Sequence, residues 1–133
     1  MASRHVEDAV QAYLTANWTT APVLTENSEG ETPADGSAFV RLQFPIAEVT
    51  RWAVDRRHYR EEGGFRLLIA IQRGMGTGLA RVWGEELAAL FRDRKFDGVE
   101  TKVPSEPFTD EQSDQGNYFL ASMVVPYTYN FDG

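Results

Sequence analysis

GFRLLIAIQRGMGTGLARVWGEELAALF, residues 64–91, is the stretch on which the fold turns. Its first half alternates. Phe65, Leu67, Ile69 and Ile71 fall on one side of an extended chain, and Arg66, Leu68, Ala70 and Gln72 on the other. Leu68 and Ala70 make the second side partly apolar, which suits a central strand. In its second half Leu79, Val82, Trp83, Leu87, Leu90 and Phe91 recur at three- and four-residue spacing. That period predicts a helix from about Thr77 to Arg94.

Between strand and helix lies RGMGTG, residues 73–78, which has the look of a phosphate-binding loop. A P-loop needs G-x-x-x-x-G-K-[ST], with a lysine for the terminal phosphates and a hydroxyl for magnesium. Counting from Gly74, the sixth position is Leu79, and no lysine occurs before Lys95. A dinucleotide fingerprint needs G-x-G-x-x-G/A. Starting at Gly74 the last position is Leu79, and starting at Gly76 it is Arg81. Gly74, Gly76, Thr77 and Gly78 therefore read as a structural turn, with glycines that tolerate positive φ and Thr77 as a helix cap. A nucleotide-binding enzyme using Gly74–Gly78 is kept as the alternative of another class.

Outward from this centre, Val6, Val10, Tyr13, Leu14 and Trp18 form one apolar stripe of a helix from about Ser3 to Asn17. Ser3 is placed to cap it, and Pro22 prevents its continuation. Val23 and Leu24 read as a short strand. Val40, Leu42, Phe44 and Ile46 alternate with polar residues, giving a strand whose end Pro45 places near a sheet edge. Residues 48–62 read as an extended arm, the first half of a hairpin turning at Glu61–Gly64. Phe96-Asp97-Gly98-Val99 is a turn into a strand near 99–103. NYFLASMVVPYTYNF, residues 117–131, is a long strand that Pro126 interrupts at an edge or bulge. Residues 27–37 and 104–116 are polar loops expected to be mobile, because they hold too few apolar anchors to offset the entropy of ordering.

The expected fold is a single α+β domain over residues 1–133. It has a mostly antiparallel twisted sheet of four to five strands, two helices packed on one face, and an extended β-hairpin arm. The chain of 133 residues can bury a core without staples. It has no cysteine, which removes disulfides and thiolate metal sites. No stretch approaches a membrane span.

No catalytic constellation emerges. His5-Val6-Glu7 matches half of a zinc-deaminase motif whose other half needs cysteine. No G-x-S-x-G occurs. The pairs Glu61-Glu62, Glu85-Glu86 and Asp110-Glu111 read as solvated charge, since adjacent side chains diverge. No cofactor, metal or catalytic residue is expected.

Charge is uneven along a chain of net −7. Residues 51–73 carry six arginines against three acids, while residues 1–50 and 97–133 are strongly acidic. The stretch RWAVDRRHYR interleaves aromatics and arginines as a nucleic-acid patch does, but the acidic whole argues against one. A basic patch facing an acidic patch suits contact between copies. Arg51, Arg56, Arg57 and Arg60 are therefore candidate inter-subunit contacts.

Taken in order, several short motifs resemble the phage tail terminator family, small virion proteins of long-tailed phages. They are Leu14-Thr15-Ala16-Asn17-Trp18, Thr20-Ala21-Pro22-Val23, Ala38-Phe39-Val40-Arg41, Gly64-Phe65-Arg66-Leu67, Gly76-Thr77-Gly78, Leu87-Ala88-Ala89-Leu90-Phe91, Asn117-Tyr118-Phe119 and Val125-Pro126-Tyr127. The resemblance implies an α+β subunit of a homohexameric ring. Such a ring caps the tail tube, ends its polymerisation and offers a head-tail joining surface. Implied partners are the tail tube protein and a head-tail connector or neck protein. DNA would pass through the ring without sequence-specific binding. No membrane is implied, and the location is the virion tail or neck after assembly in the bacterial host cytoplasm. A neck or head-completion connector is the alternative within virions.

Overall fold

The computed structural model describes residues 2–20, 23–25, 38–51, 58–72, 77–106, 108–109 and 118–132. In chain order the elements are α1 (Arg4–Asn17), β1 (Val23–Thr25), β2 (Phe39–Arg51), β3 (His58–Gln72), α2 (Thr77–Phe91), β4 (Lys95–Phe96), β5 (Val99–Thr101), β6 (Phe108–Thr109) and β7 (Tyr118–Asp132). The strands form one sheet in the order β1-β2-β3-β7-β5-β4, with β6 also paired to β7. Only β1–β2 is parallel. The α+β class is as expected, and the sheet is wider than expected because it also takes in β4 and β6, each only two residues long.

The alternation of residues 65–71 sets the core. Phe65, Leu67, Ile69 and Ile71 are fully buried beside Val40, Leu42 and Phe44 of β2 and Ala121, Met123, Val125 and Tyr127 of β7. Val6, Ala9, Val10 and Leu14 of α1 and Ala80, Trp83, Leu87, Ala88 and Phe91 of α2 complete the same cluster, so both helices cover one face. On the opposite face Phe39, Ala70 and Leu120 make a smaller cluster with Leu68, and β3 is buried on both sides.

α1 begins as its sequence dictates. The Ser3 hydroxyl accepts from the Val6 N–H at 3.5 Å, and Asn17 ends the helix. α2 stops at Phe91, short of the expected Arg94. The buried Thr101 hydroxyl, arriving from β5, donates to the Phe91 carbonyl and accepts from the Arg94 N–H at 3.0 Å. These bonds satisfy groups at the helix end while Asp93 turns into left-handed backbone at φ 50°. Asp97 (φ 48°) and Gly98 (φ 83°) then close the β4–β5 hairpin as a two-residue turn.

The expected turn at Glu61–Gly64 is wrong. These residues lie within β3, opposite Val49, Glu48, Ala47 and Ile46 on one side and Tyr129, Thr128, Tyr127 and Pro126 on the other. β2 and β3 remain paired well past these residues, as far as Arg51↔Tyr59. The paired glycines signalled a turn, but they belong to a central strand; a Cβ on Gly64 would stand 3.2 Å from a Val124 methyl carbon.

Pro45 marks a bulge inside β2 rather than its end. Between the pairs Gln43↔Arg66 and Ile46↔Gly64, two residues of β2 oppose Phe65 alone. The bulge switches parity: Val40, Leu42 and Phe44 face the helices before it, and Ala47, Val49 and Arg51 do so after it. Pro126 leaves the β3–β7 ladder unbroken. Its carbonyl accepts from Lys102 N–H at 2.9 Å, so its missing donor also faces that outer side.

Part of the expected second loop is anchored. Ser105 N–H donates to the Val124 carbonyl and the Ser105 hydroxyl accepts from Val124 N–H, both at 2.9 Å, and β6 pairs with β7. The expectation of mobility for residues 27–37 and 110–116 falls outside the described residues. So do Gly74 and Gly76, and the cap assigned to Thr77 rests on a side chain that is likewise not described. Gly78 lies in the first turn of α2 without a positive φ, and a Cβ there would meet nothing within 4 Å. Gly78→Ala should therefore stabilise the protein by about 0.4–1 kcal/mol, read as a higher urea midpoint at unchanged slope.

Candidate functional site

At one end the sheet continues as an arm, β2 from 46 to 51, β3 from 58 to 64 and β7 from 126 to 132, with β5 paired to Tyr127–Tyr129 at its root. Its two faces differ, because alternation sends neighbouring residues to opposite sides.

On the helix-side face the arm carries aromatic rings. His5 of α1 stacks on Tyr129 at 4.7 Å, Tyr129 on Phe131 at 5.6 Å, and Phe131 on Tyr59 at 5.5 Å. His5 Nε2 also lies 2.7 Å from the Asp97 carbonyl, holding α1 against the β4–β5 turn. Val49, opposite Glu61, is 52% exposed. The other face is polar: Arg60 donates to Asn130 Oδ1 at 3.0 Å and lies 3.7 Å from Glu62. That ion pair is exposed and contributes about 0–1 kcal/mol.

The root of the arm holds a buried carboxylate. Glu61 is 1% exposed, and its Oε2 accepts from Tyr127 OH at 2.6 Å and from Ser3 N–H at 3.2 Å. Oε1 is buried and has no hydrogen-bond partner among the described residues. Burial, then the bond to and negative charge of Glu61, hold the Tyr127 hydroxyl well above the ordinary tyrosine range. Three elements thus meet at one group: α1 through Ser3, β3 through Glu61 and β7 through Tyr127. Sequence reading missed this, treating Glu61-Glu62 as one solvated pair. The available signal was parity: counting back from Phe65 through Gly63 puts Glu61 on the core side and Glu62 outside.

Of the four candidate arginines, Arg51 ends β2 and is exposed, opposite Tyr59. Arg60 sits between Thr50 and Asn130. The two therefore point to opposite faces of the arm, and no single basic face unites them. Arg56 and Arg57 lie outside the described residues. Among the described residues no group of three or more His, Cys, Asp or Glu is arranged to hold a metal, and no helix is long and apolar enough to cross a membrane.

A family model described as phage tail terminator protein matches residues 5–127. No curated protein matches the chain. A solved structure whose title describes no activity superposes with a TM-score of 0.66. The match spans 100% of this chain and 99% of the other at 22% identity, and shows a shared fold.

Proposed function

The chain belongs to the phage tail terminator protein family, a structural component of virion tails, and from that premise we propose that it acts as the terminator itself. Copies assemble into a ring, six in number, that sits on the end of the tail tube and stops its growth. The exposed side of the ring receives the neck or connector protein of the head, and DNA passes through the centre without base-specific contact. The family match over residues 5–127 carries this reading. The arm supports it, since its exposed Val49 and Arg51 offer contact surface, and closed rings need two different patches of one subunit to meet.

The test is direct. Native mass measurement should show a closed species of six subunits. Added to polymerising tube protein of the same virion, that species should yield short, capped tubes. Tubes that grow unchanged in its presence would overturn the terminator role.

The candidate contacts Arg51, Arg56, Arg57 and Arg60 belong to this proposal. Arg56→Glu combined with Arg57→Glu should weaken ring association by roughly 1–2 kcal/mol while leaving the circular dichroism spectrum intact. Added salt should weaken the wild-type ring in the same direction. An unchanged oligomer at low salt would remove these arginines from the interface.

A further inference from the structure

The bulge at Phe44-Pro45 gives the arm a face of its own. With parity switched, β2 sends Ala47, Val49 and Arg51 to the side of the sheet that carries the helices, where β3 sends Tyr59 and Glu61 and β7 sends Tyr129 and Phe131. Pairing sets these side chains in two rows across the strands: Val49, Glu61 and Tyr129, then Arg51, Tyr59 and Phe131. Glu61 is buried within the first row. Val49 and Arg51 are exposed, and Tyr59 and Phe131 are half-buried. Among the described residues of these strands, Arg51 supplies the exposed charge on this face. Aromatic rings and arginine are the side chains in which contact surfaces between proteins are enriched.

α2 carries a surface that complements it. Val82, Glu85, Glu86 and Ala89 are all exposed and follow one another at i, i+3, i+4 and i+7, so they share the face of α2 turned away from the sheet. Trp83, Leu87 and Phe91, on the other side of the helix, are buried in the core. Val82 is 49% exposed, nearly as much as Val49. Its neighbours along the stripe are two carboxylates, while the exposed Arg81 and Arg92 stand together at one margin. An exposed aliphatic side chain of this size, set among carboxylates on a helix, is contact surface for an apolar partner that brings a cation.

We propose that the arm face of one copy, centred on Val49 and Arg51, packs on the Val82–Ala89 stripe of α2 in a second copy; the proposal rests on the ring reading above and names the two surfaces that meet. Charge selects the pairing. Arg51 of one copy meets Glu85 and Glu86 of the next, and Val49 with its aromatic neighbours covers Val82 and Ala89. Two exposed aliphatic side chains leave water at the same contact. Each surface also disfavours its own kind, since arm against arm opposes Arg51 to Arg51 and stripe against stripe opposes carboxylate to carboxylate. The contact is therefore heterologous, with each copy offering a different surface to each neighbour, as the contacts of rings are.

The chain has no cysteine, so placed thiols report this contact directly. Two single variants, Val49→Cys and Val82→Cys, are treated with a short bismaleimide cross-linker, each alone and then mixed. The mixture should give a linked dimer holding one chain of each kind, identified by mass, and neither variant alone should. Arg51→Glu should weaken association roughly tenfold at low salt, as should Glu85→Lys with Glu86→Lys, and the three changes together should restore it. Every one of these positions is exposed, so the circular dichroism spectrum and melting temperature should not move. Association without the mixed cross-link, or without the charge rescue, overturns the proposal. So does linking of Val49→Cys to itself, which would make the arm face a two-fold contact. Association that Arg51→Glu leaves intact while tube capping is lost would give the face to the tube protein, and overturns it as well. The mixed cross-link and charge rescue in an assembly that stops at two copies or stays open would keep the contact and remove the ring. A ring of six without them keeps the ring and removes the contact. A chain that never self-associates removes both.

Discussion

Phe65→Ala should lower stability by about 3–5 kcal/mol, the range for deleting a fully buried aromatic ring. Against a typical net stability of about 5–15 kcal/mol, that brings the protein close to its unfolding threshold. The ring lies 5.0 Å from Phe91 in a T-shaped contact, 6.0 Å from Phe44 and 6.3 Å from Tyr127. It thus joins α2, the bulge of β2 and the middle of β7. The site cannot collapse easily around the cavity. β3 is held in one continuous register with β7 from His58 to Gln72, and the bulged residues of β2 close over it. Urea unfolding should show the loss as a lower midpoint, with near-ultraviolet circular dichroism weakened before the far-ultraviolet signal. A loss below about 1 kcal/mol would mean that the ring is not a keystone of the core.

That residue lies in the stretch where sequence and structure agree most fully, and the reason is physical. Residues 65–71 and the two helices each bury a face whose period is visible in one chain segment. The misreadings fall where a distant segment decides. Gly63-Gly64 looked like a turn because glycine pairs usually are; here β7 and β2 press from both sides. α2 was extended to Arg94 because its own residues allow it, and a threonine from β5 ends it instead. β4 and β6 are too short to carry a period at all and exist through their partners. The bulge at Phe44-Pro45 was legible only as a proline, without its effect of turning Val49 and Arg51 to the helix side.

The four candidate arginines are a reading of charge and not of geometry. Counting them marks residues 51–60, since formal charge needs no structure. Which face each arginine takes depends on a strand register that the arm's own residues do not fix. Glu61 shows the same limit: its burial follows from strand parity across two glycines, and its partners Ser3 and Tyr127 lie far away along the chain.

Tyr127→Phe is the sharpest probe of that buried group. The hydroxyl donates to Glu61 Oε2 at 2.6 Å, and among the described residues the one other donor to this carboxylate is Ser3 N–H at 3.2 Å. Removing the hydroxyl leaves a buried charged group with a single bond, at a cost of about 1.5–3 kcal/mol. Glu61→Leu added to Tyr127→Phe should recover part of that loss, because an apolar pair leaves no unsatisfied oxygen. Alkaline pH gives an independent reading. Tyr127 is raised first by burial and then by Glu61, so the folded protein keeps a proton that the unfolded chain releases above about pH 10. The unfolded state then binds fewer protons, and stability falls as pH rises through that window. Phenylalanine cannot titrate, so the variant should lose less stability than the wild type between about pH 9 and 11. Urea midpoints of both proteins across that range provide the check. Parallel losses would show that Tyr127 does not retain its proton. A single-variant cost under about 0.5 kcal/mol would show that Glu61 finds another donor in place of the Tyr127 hydroxyl.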